Sequence, residues 1–148
     1  MNDQRVIGNK PPCCLPEKYA FFEPLYSTTY GEYRTKGVAA TGSMNASFQI
    51  PPDFNELIEL YIEYVAVSGL VDADIDLDSN YAKTGENYQQ HVESDTLSTY
   101  SCPANIWCEL DLTPVFSEVE AGDHCGIKIS QSTVGSTVHY KHIVLRYK

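Results

Sequence analysis

From residue 44 onward the chain repeats apolar and polar positions with a period of two, the spacing of strands that bury one face. Met44-Asn45-Ala46-Ser47-Phe48-Gln49-Ile50 alternates and stops at Pro51-Pro52, which predicts a short strand closed by residues that cannot donate to a ladder. Residues 57–67, LIELYIEYVAV, are crowded with β-branched and aromatic side chains, which favours an extended strand over a helix. The strictest alternation is Val71-Asp72-Ala73-Asp74-Ile75-Asp76-Leu77-Asp78. It predicts a strand with all four aspartates on a wet face and Val71, Ala73, Ile75 and Leu77 in a core. Residues 79–95 are polar and contain Gly85, so a loop with at most one short strand is expected there. Strands are expected over 96–102 and 106–112, split by Pro103, and a briefly helical stretch over 115–119. A turn at Ala121-Gly122-Asp123 precedes strands over 124–130 and 138–147, themselves separated by a turn at Gly135. Seven or eight strands with almost no helix predict an all-β fold: a single jelly-roll-like antiparallel β-sandwich spanning 44–148.

Residues 1–43 do not keep this rhythm. Prolines at 11, 12, 16 and 24 and glycines at 8, 31 and 37 predict an irregular, extended arm. The arm is nonetheless rich in aromatic residues, which disordered tails lack. It must lie on its own domain or on a neighbouring subunit. Tyr19, Phe21, Phe22, Tyr26, Tyr30 and Tyr33 are therefore the candidate interface residues.

Charge narrows the partners. The 148 residues carry a formal net charge of −10. Residues 1–40 hold five basic and four acidic side chains, whereas 41–148 hold five basic and sixteen acidic ones. So negative a surface repels phosphates and anionic lipid, so neither nucleic acid nor a membrane is expected as partner. No apolar run is long enough to span a bilayer. The N-terminal stretch has no apolar signal-peptide core either, so the expectation is a protein made and used without Sec export. In that setting the Asn45-Ala46-Ser47 glycosylation match means little.

The chemistry-bearing residues do not converge. Five cysteines without a secretory signal argue against a disulfide framework; Cys102 and Cys108 would bridge only if they flank a turn, and free thiols are expected. Cys13-Cys14 lacks the second pair of ligands that zinc needs. The row Asp72, Asp74, Asp76, Asp78 lies along a strand rather than around a tight calcium loop. His139 and His142 are three apart, which in a regular strand sends them to opposite faces, so they should not share a metal. No G-x-S-x-G elbow, phosphate-binding glycine loop or His-x-His pair occurs, and Asp123-His124-Cys125 would point apart on a strand. No enzyme activity and no cofactor is expected. Trp107 shares a face with Glu109 and Asp111, and an exposed tryptophan of that kind would serve as a sugar-stacking platform; a glycan-binding head is the alternative function.

Several of these segments resemble a known group. The run Ser47-Phe48-Gln49-Ile50-Pro51-Pro52-Asp53-Phe54, the long strand 57–67, the Ala121-Gly122-Asp123 turn with the strand after it, and the closing Ile143-Val144-Leu145-Arg146-Tyr147 resemble jelly-roll structural proteins of tailed bacteriophages and archaeal viruses. The likeness covers about residues 44–148. The chain departs from that pattern in lacking an arginine after Gly126-Ile127-Lys128-Ile129-Ser130 and in its cysteines. The resemblance implies a virion component assembled in a host cytoplasm: a capsid decoration protein, a minor capsid protein, or a tail or fibre head that binds a receptor. It implies a homo-oligomer, with a trimer favoured, in contact with the major capsid or other virion proteins, and it carries over no catalytic residue.

Overall fold

In the computed structural model, which describes residues 15–131 and 135–148, burial along Ser43–Gln49 alternates position by position, with Met44, Ala46 and Phe48 inside. The same rhythm builds the rest of the sandwich. Among the described residues the strands are β1 (Lys18–Phe22), β2 (Thr28–Tyr30), β3 (Tyr33–Val38), β4 (Ser43–Gln49), β5 (Leu57–Ala66), β6 (Leu70–Ala82), β7 (His91–Cys102), β8 (Trp107–Asp111), β9 (His124–Gln131) and β10 (Val138–Tyr147), with a 3₁₀ turn at Thr113–Val115. No helix among them is long and apolar enough to cross a membrane.

All pairings are antiparallel, and from β3 onward they nest. The outermost strands β3 and β10 pair, then β4 with β9, β5 with β8, and β6 with β7. One long hairpin has thus been folded over on itself, which is the jelly roll. It yields one sheet ordered β3-β10-β5-β8 and a second ordered β4-β9-β6-β7. Between them lies the core, with Ile62, Tyr64, Leu110, Tyr140 and Leu145 from the first sheet against Met44, Ile75, Leu77, Tyr81 and Ile129 from the second.

Four expectations about the strands and the cysteines need correction. Residues 18–38 are not irregular: β1 pairs with the second half of β10, and β2 forms a hairpin with β3, so the first sheet has six strands. Gly31, at φ 57°, supplies the positive φ that this two-residue turn demands. The expected loop 79–95 shrinks to 83–90, because β6 runs on to Ala82 and β7 starts at His91. Polar residues such as Asn80 and Ser94 belong to a solvated sheet face there, not to a loop. Val71, expected inside, is 82% exposed. Asp72 takes φ 47° and the β6–β7 register shifts between Leu70 and Ala73, so a bulge turns Val71 outward. Finally, Cys102 and Cys108 form a disulfide that ties the end of β7 to β8 across the two sheets. The intervening turn, held by Asn105 N–H on the Ala66 carbonyl, brings their Cα atoms to 6.5 Å. The Cys125 thiol is free and buried, and burial raises its pKa, so it is an inert core group. Cys13 and Cys14 lie outside the described residues.

The segments behind the family resemblance meet at one corner. Ile50 N–H donates to the Asp123 carbonyl and Gly122 N–H to that of Ile50, which ties the Ala-Gly-Asp turn to the end of β4. The buried Asp123 carboxylate accepts the Glu120 N–H at 2.7 Å and closes the turn. Phe54 stacks on Tyr147, whose hydroxyl donates to Asp53 at 3.1 Å. Lys18, bonded to the same carboxylate, holds it below the usual aspartate pKa.

One core group is left unpaired. The Tyr64 hydroxyl is buried between Tyr100 and Tyr140 and makes no hydrogen bond of ordinary geometry among the described residues; burial pushes it far above the usual phenol range. A buried hydroxyl without a partner destabilises the folded state. Tyr64→Phe is expected to raise the unfolding free energy by about 1 kcal/mol, read as a higher urea midpoint at unchanged slope; a lower midpoint would mean that the hydroxyl is bonded after all.

Candidate interaction surface

The outer face of the six-stranded sheet gathers most of the N-terminal aromatic residues. β1 adds to β10 with Phe21 opposite Val144 and Tyr19 opposite Arg146. Because side chains alternate along a strand, Tyr19 and Phe21 point out while Ala20 and Phe22 point in. Tyr19 and Phe21 are 56% and 61% exposed. Phe22 is instead part of the interior, its ring 5.1 Å from that of Phe48. Tyr33 is exposed on β3, edge-on to Trp107 at 5.2 Å. Tyr30 is half-buried against His139 and donates its hydroxyl to Asn105. Tyr26 lies under the Arg34 guanidinium, 5.2 Å from its ring centroid. Of the six candidate residues, then, Tyr19, Phe21 and Tyr33 present free surface, Tyr26 and Tyr30 are braced by neighbours, and Phe22 packs the core.

A second bulge joins these aromatic groups. β10 and β5 keep register at Tyr140 and again at Ile143, so Lys141 and His142 together face the single residue Glu63. Both side chains are driven outward. His142 contacts Glu63 at 3.3 Å and the edge of Phe21 at 5.4 Å, while the Lys141 ammonium sits 5.3 and 5.5 Å from the Tyr33 and Trp107 ring centroids. A stripe Phe21–His142–Lys141–Tyr33–Trp107 results, held by edge and cation–π contacts. The bulge also overturns the expectation that His139 and His142 lie on opposite faces: both lie on this one. His139 is used within the fold. It meets the buried Thr35 hydroxyl at 2.9 Å, and burial lowers its pKa, which favours the neutral ring.

Exposed Leu25 (85%) and Ile106 (52%) add apolar surface that the aromatic count overlooked. Lys141 was overlooked too, since only the bulge brings it between two rings. Trp107, the candidate sugar platform, is 36% exposed, but Lys141 covers one part of it and Tyr33 another. On the opposite sheet Asp76 and Asp78 accept the hydroxyls of Thr96 and Ser94 at 2.8 and 2.7 Å. Among the described residues no group of three or more His, Cys, Asp and Glu side chains is placed to hold a metal.

No protein-family model matches the sequence, and no curated protein matches it. Solved structures do share the fold. The insecticidal delta-endotoxin Cry8Ea1 of Bacillus thuringiensis superposes with a TM-score of 0.51 at 18% identity over 86% of this chain. This chain spans only 24% of that toxin's length. At that identity the likeness speaks for the fold alone. A CBM36-1 domain of a multidomain xylanase from the hindgut metagenome of Trinervitermes trinervoides (TM-score 0.48, 6% identity, 86% of this chain and 96% of that one) is more distant. So is a chain in the structure of infectious bursal disease virus, Gx strain (0.47, 8%, 88% and 32%). Neither carries a functional argument.

Proposed function

We propose that the protein is a non-enzymatic virion component, a capsid decoration or minor capsid protein, whose jelly roll self-associates as a trimer through the outer face of its six-stranded sheet. The observation that carries this reading is the aromatic stripe. A chain of net charge −10 gains little from broad electrostatic attraction to its own copies, so association must come from burying apolar area. Tyr19, Phe21, Leu25, Tyr33 and Ile106 offer such area on β1–β3 and the neighbouring turn. The stripe also runs along β10, where Lys141, Arg146 and the adjoining Lys148 concentrate three of the five basic residues found after position 40. There Arg146 is paired with Glu17 and Glu59 and Lys148 with Glu56, so those acidic charges are offset within each subunit. The fused corner of Ile50–Phe54, Asp123 and Tyr147 supports the resemblance to phage and archaeal-virus jelly rolls, because the residues that carry it close one structural unit. The Cys102–Cys108 bridge suits a virion surface, one of the settings in which disulfides persist.

Native mass spectrometry of the full chain tests the assembly. The wild type should run at three times the 16.5 kDa subunit mass, and the Phe21→Ser/Tyr33→Ser double variant, altered only at exposed rings, should run as a monomer. A monomeric wild type, or a double variant that stays trimeric, refutes the proposed interface. The glycan-binding alternative gains less from this face, since Trp107 is already engaged by Lys141 and Tyr33.

A further inference from the structure

The outer face of the other sheet has a hollow at its centre, and its cause is one missing side chain. Gly126 on β9 lies between Ser47 on β4 and Asn80 on β6. Its φ is not in the left-handed region, so the backbone does not require glycine there. A Cβ at this position would meet only the Asn80 carbonyl oxygen, at 3.9 Å. A glycine in mid-strand weakens a sheet unless something approaches the backbone closely. Here it leaves a floor. Two hollows, of ≈450 and ≈240 Å³, share Ser47, Asn80 and Gly126. Together they form a trough along the strand direction, from Gln49 and His124 at one end to Asn45, Lys128 and Asp78 at the other. Residues on one face of a strand are about 7 Å apart, so its three rows span about 14 Å.

The lining is chemically coherent. Asn45, Ser47 and Asn80 point hydroxyl and amide groups at the trough and make no side-chain hydrogen bond to another described residue. At one end stands Tyr88, 72% exposed. It sits on an ordered loop: Glu86 N–H donates to the Lys83 carbonyl, Gln90 N–H to that of Asn87, and Thr84 bonds the His124 ring at 2.9 Å, which holds the loop against β9. An aromatic face beside free planar amides is what a sugar ring needs, one group for its C–H face and the others for its hydroxyls. The charges here disfavour an anionic ligand. Lys128 lies opposite Asp78, and Asp76 follows in the next row of the same face. We infer that this trough binds a neutral oligosaccharide, lengthwise over Gly126 with one ring stacked on Tyr88.

This site is separate from the aromatic stripe, on the opposite sheet, and its failure would leave the proposed assembly standing. A printed array of neutral and sialylated oligosaccharides, probed with the full chain, tests it. The wild type should retain at least one neutral oligosaccharide and no sialylated one in preference to it. Gly126→Val, which fills the floor with a residue suited to a strand, should weaken that binding by tenfold or more, and Tyr88→Ala by about tenfold. Trp107→Ala should leave it unchanged. Circular dichroism and native mass spectrometry of Gly126→Val should match the wild type, which separates a blocked site from a damaged fold. Binding to no neutral oligosaccharide, or binding undiminished in both Gly126→Val and Tyr88→Ala, overturns the inference.

Discussion

Cys108→Ala is expected to lower the unfolding free energy by about 2 kcal/mol, with the melting temperature falling by about 5 °C. Cys102 and Cys108 are six apart in sequence and close a short loop. Cross-linking a loop of this size removes about 2 kcal/mol of conformational freedom from the unfolded chain, in the chain-entropy account. The bridge has a structural effect as well. Cys102 ends β7 in one sheet and Cys108 sits in β8 of the other, so the link clamps the sandwich at one end. It also fixes the turn that carries Asn105, which takes the Tyr30 hydroxyl, and Trp107, which packs on Tyr33. Reduction should therefore loosen the hairpin β2–β3 together with β8. Guanidinium unfolding followed by the fluorescence of Trp107, the chain's single tryptophan, reads both effects. Adding dithiothreitol should lower the wild-type midpoint to that of Cys108→Ala and leave the variant unmoved. Equal midpoints for the wild type and the variant without reductant would refute the clamp.

The disulfide was not apparent in the sequence for a plain physical reason. Spacing alone did not reveal that Pro103–Trp107 turns tightly enough to bring two strand ends together. What the sequence did show was periodicity. Strands over 44–50, 57–67, 124–130 and 138–147 follow from alternation, because each has one face on the core, and the sandwich follows from their number. Where two partners share the constraint, the pattern fades. β1 pairs with β10 from the far end of the chain, and Lys18–Phe22 carries too few positions to show a rhythm beside Pro16 and Pro24. The bulges at Asp72 and at Lys141–His142 shift the phase by one residue, and so they reverse the face of Val71 and of His142.

The two candidate surfaces differ in how far the sequence foretold them. The aromatic richness of residues 19–33 pointed to β1–β3, but not to the separation of Phe22 from Phe21. That separation depends on which face of a new edge strand meets the core. The trough was hidden because Ser47, Gly126 and Asn80 are far apart in sequence and meet only through the ladders β4–β9 and β9–β6. Its one sequence-level sign was Gly126 inside an otherwise alternating strand, Cys125-Gly126-Ile127-Lys128-Ile129.

Tyr140→Phe is expected to cost about 2 kcal/mol, opposite in sign to Tyr64→Phe, although the two rings are 6.0 Å apart in the same core. The difference is in what each hydroxyl touches. Tyr140, on β10, donates to the Gln131 side-chain oxygen at 2.8 Å, and Gln131, on β9, passes its amide N–H to the Ala39 carbonyl at 2.8 Å. This short relay joins the two sheets through groups that are almost wholly buried. Without the Tyr140 hydroxyl, the Gln131 oxygen keeps its burial and loses its donor, and an orphaned buried acceptor costs more than the bond was worth. Removing both ends should relieve that penalty. In Tyr140→Phe/Gln131→Met the Ala39 carbonyl keeps its hydrogen bond from the Gly42 N–H at 2.9 Å, so no acceptor of the relay is left orphaned and the double variant should recover part of the loss. Urea midpoints at constant slope give all three values. A Tyr140→Phe chain as stable as the wild type, or a double variant whose loss equals the sum of the single losses, would show that the relay does not link the sheets energetically.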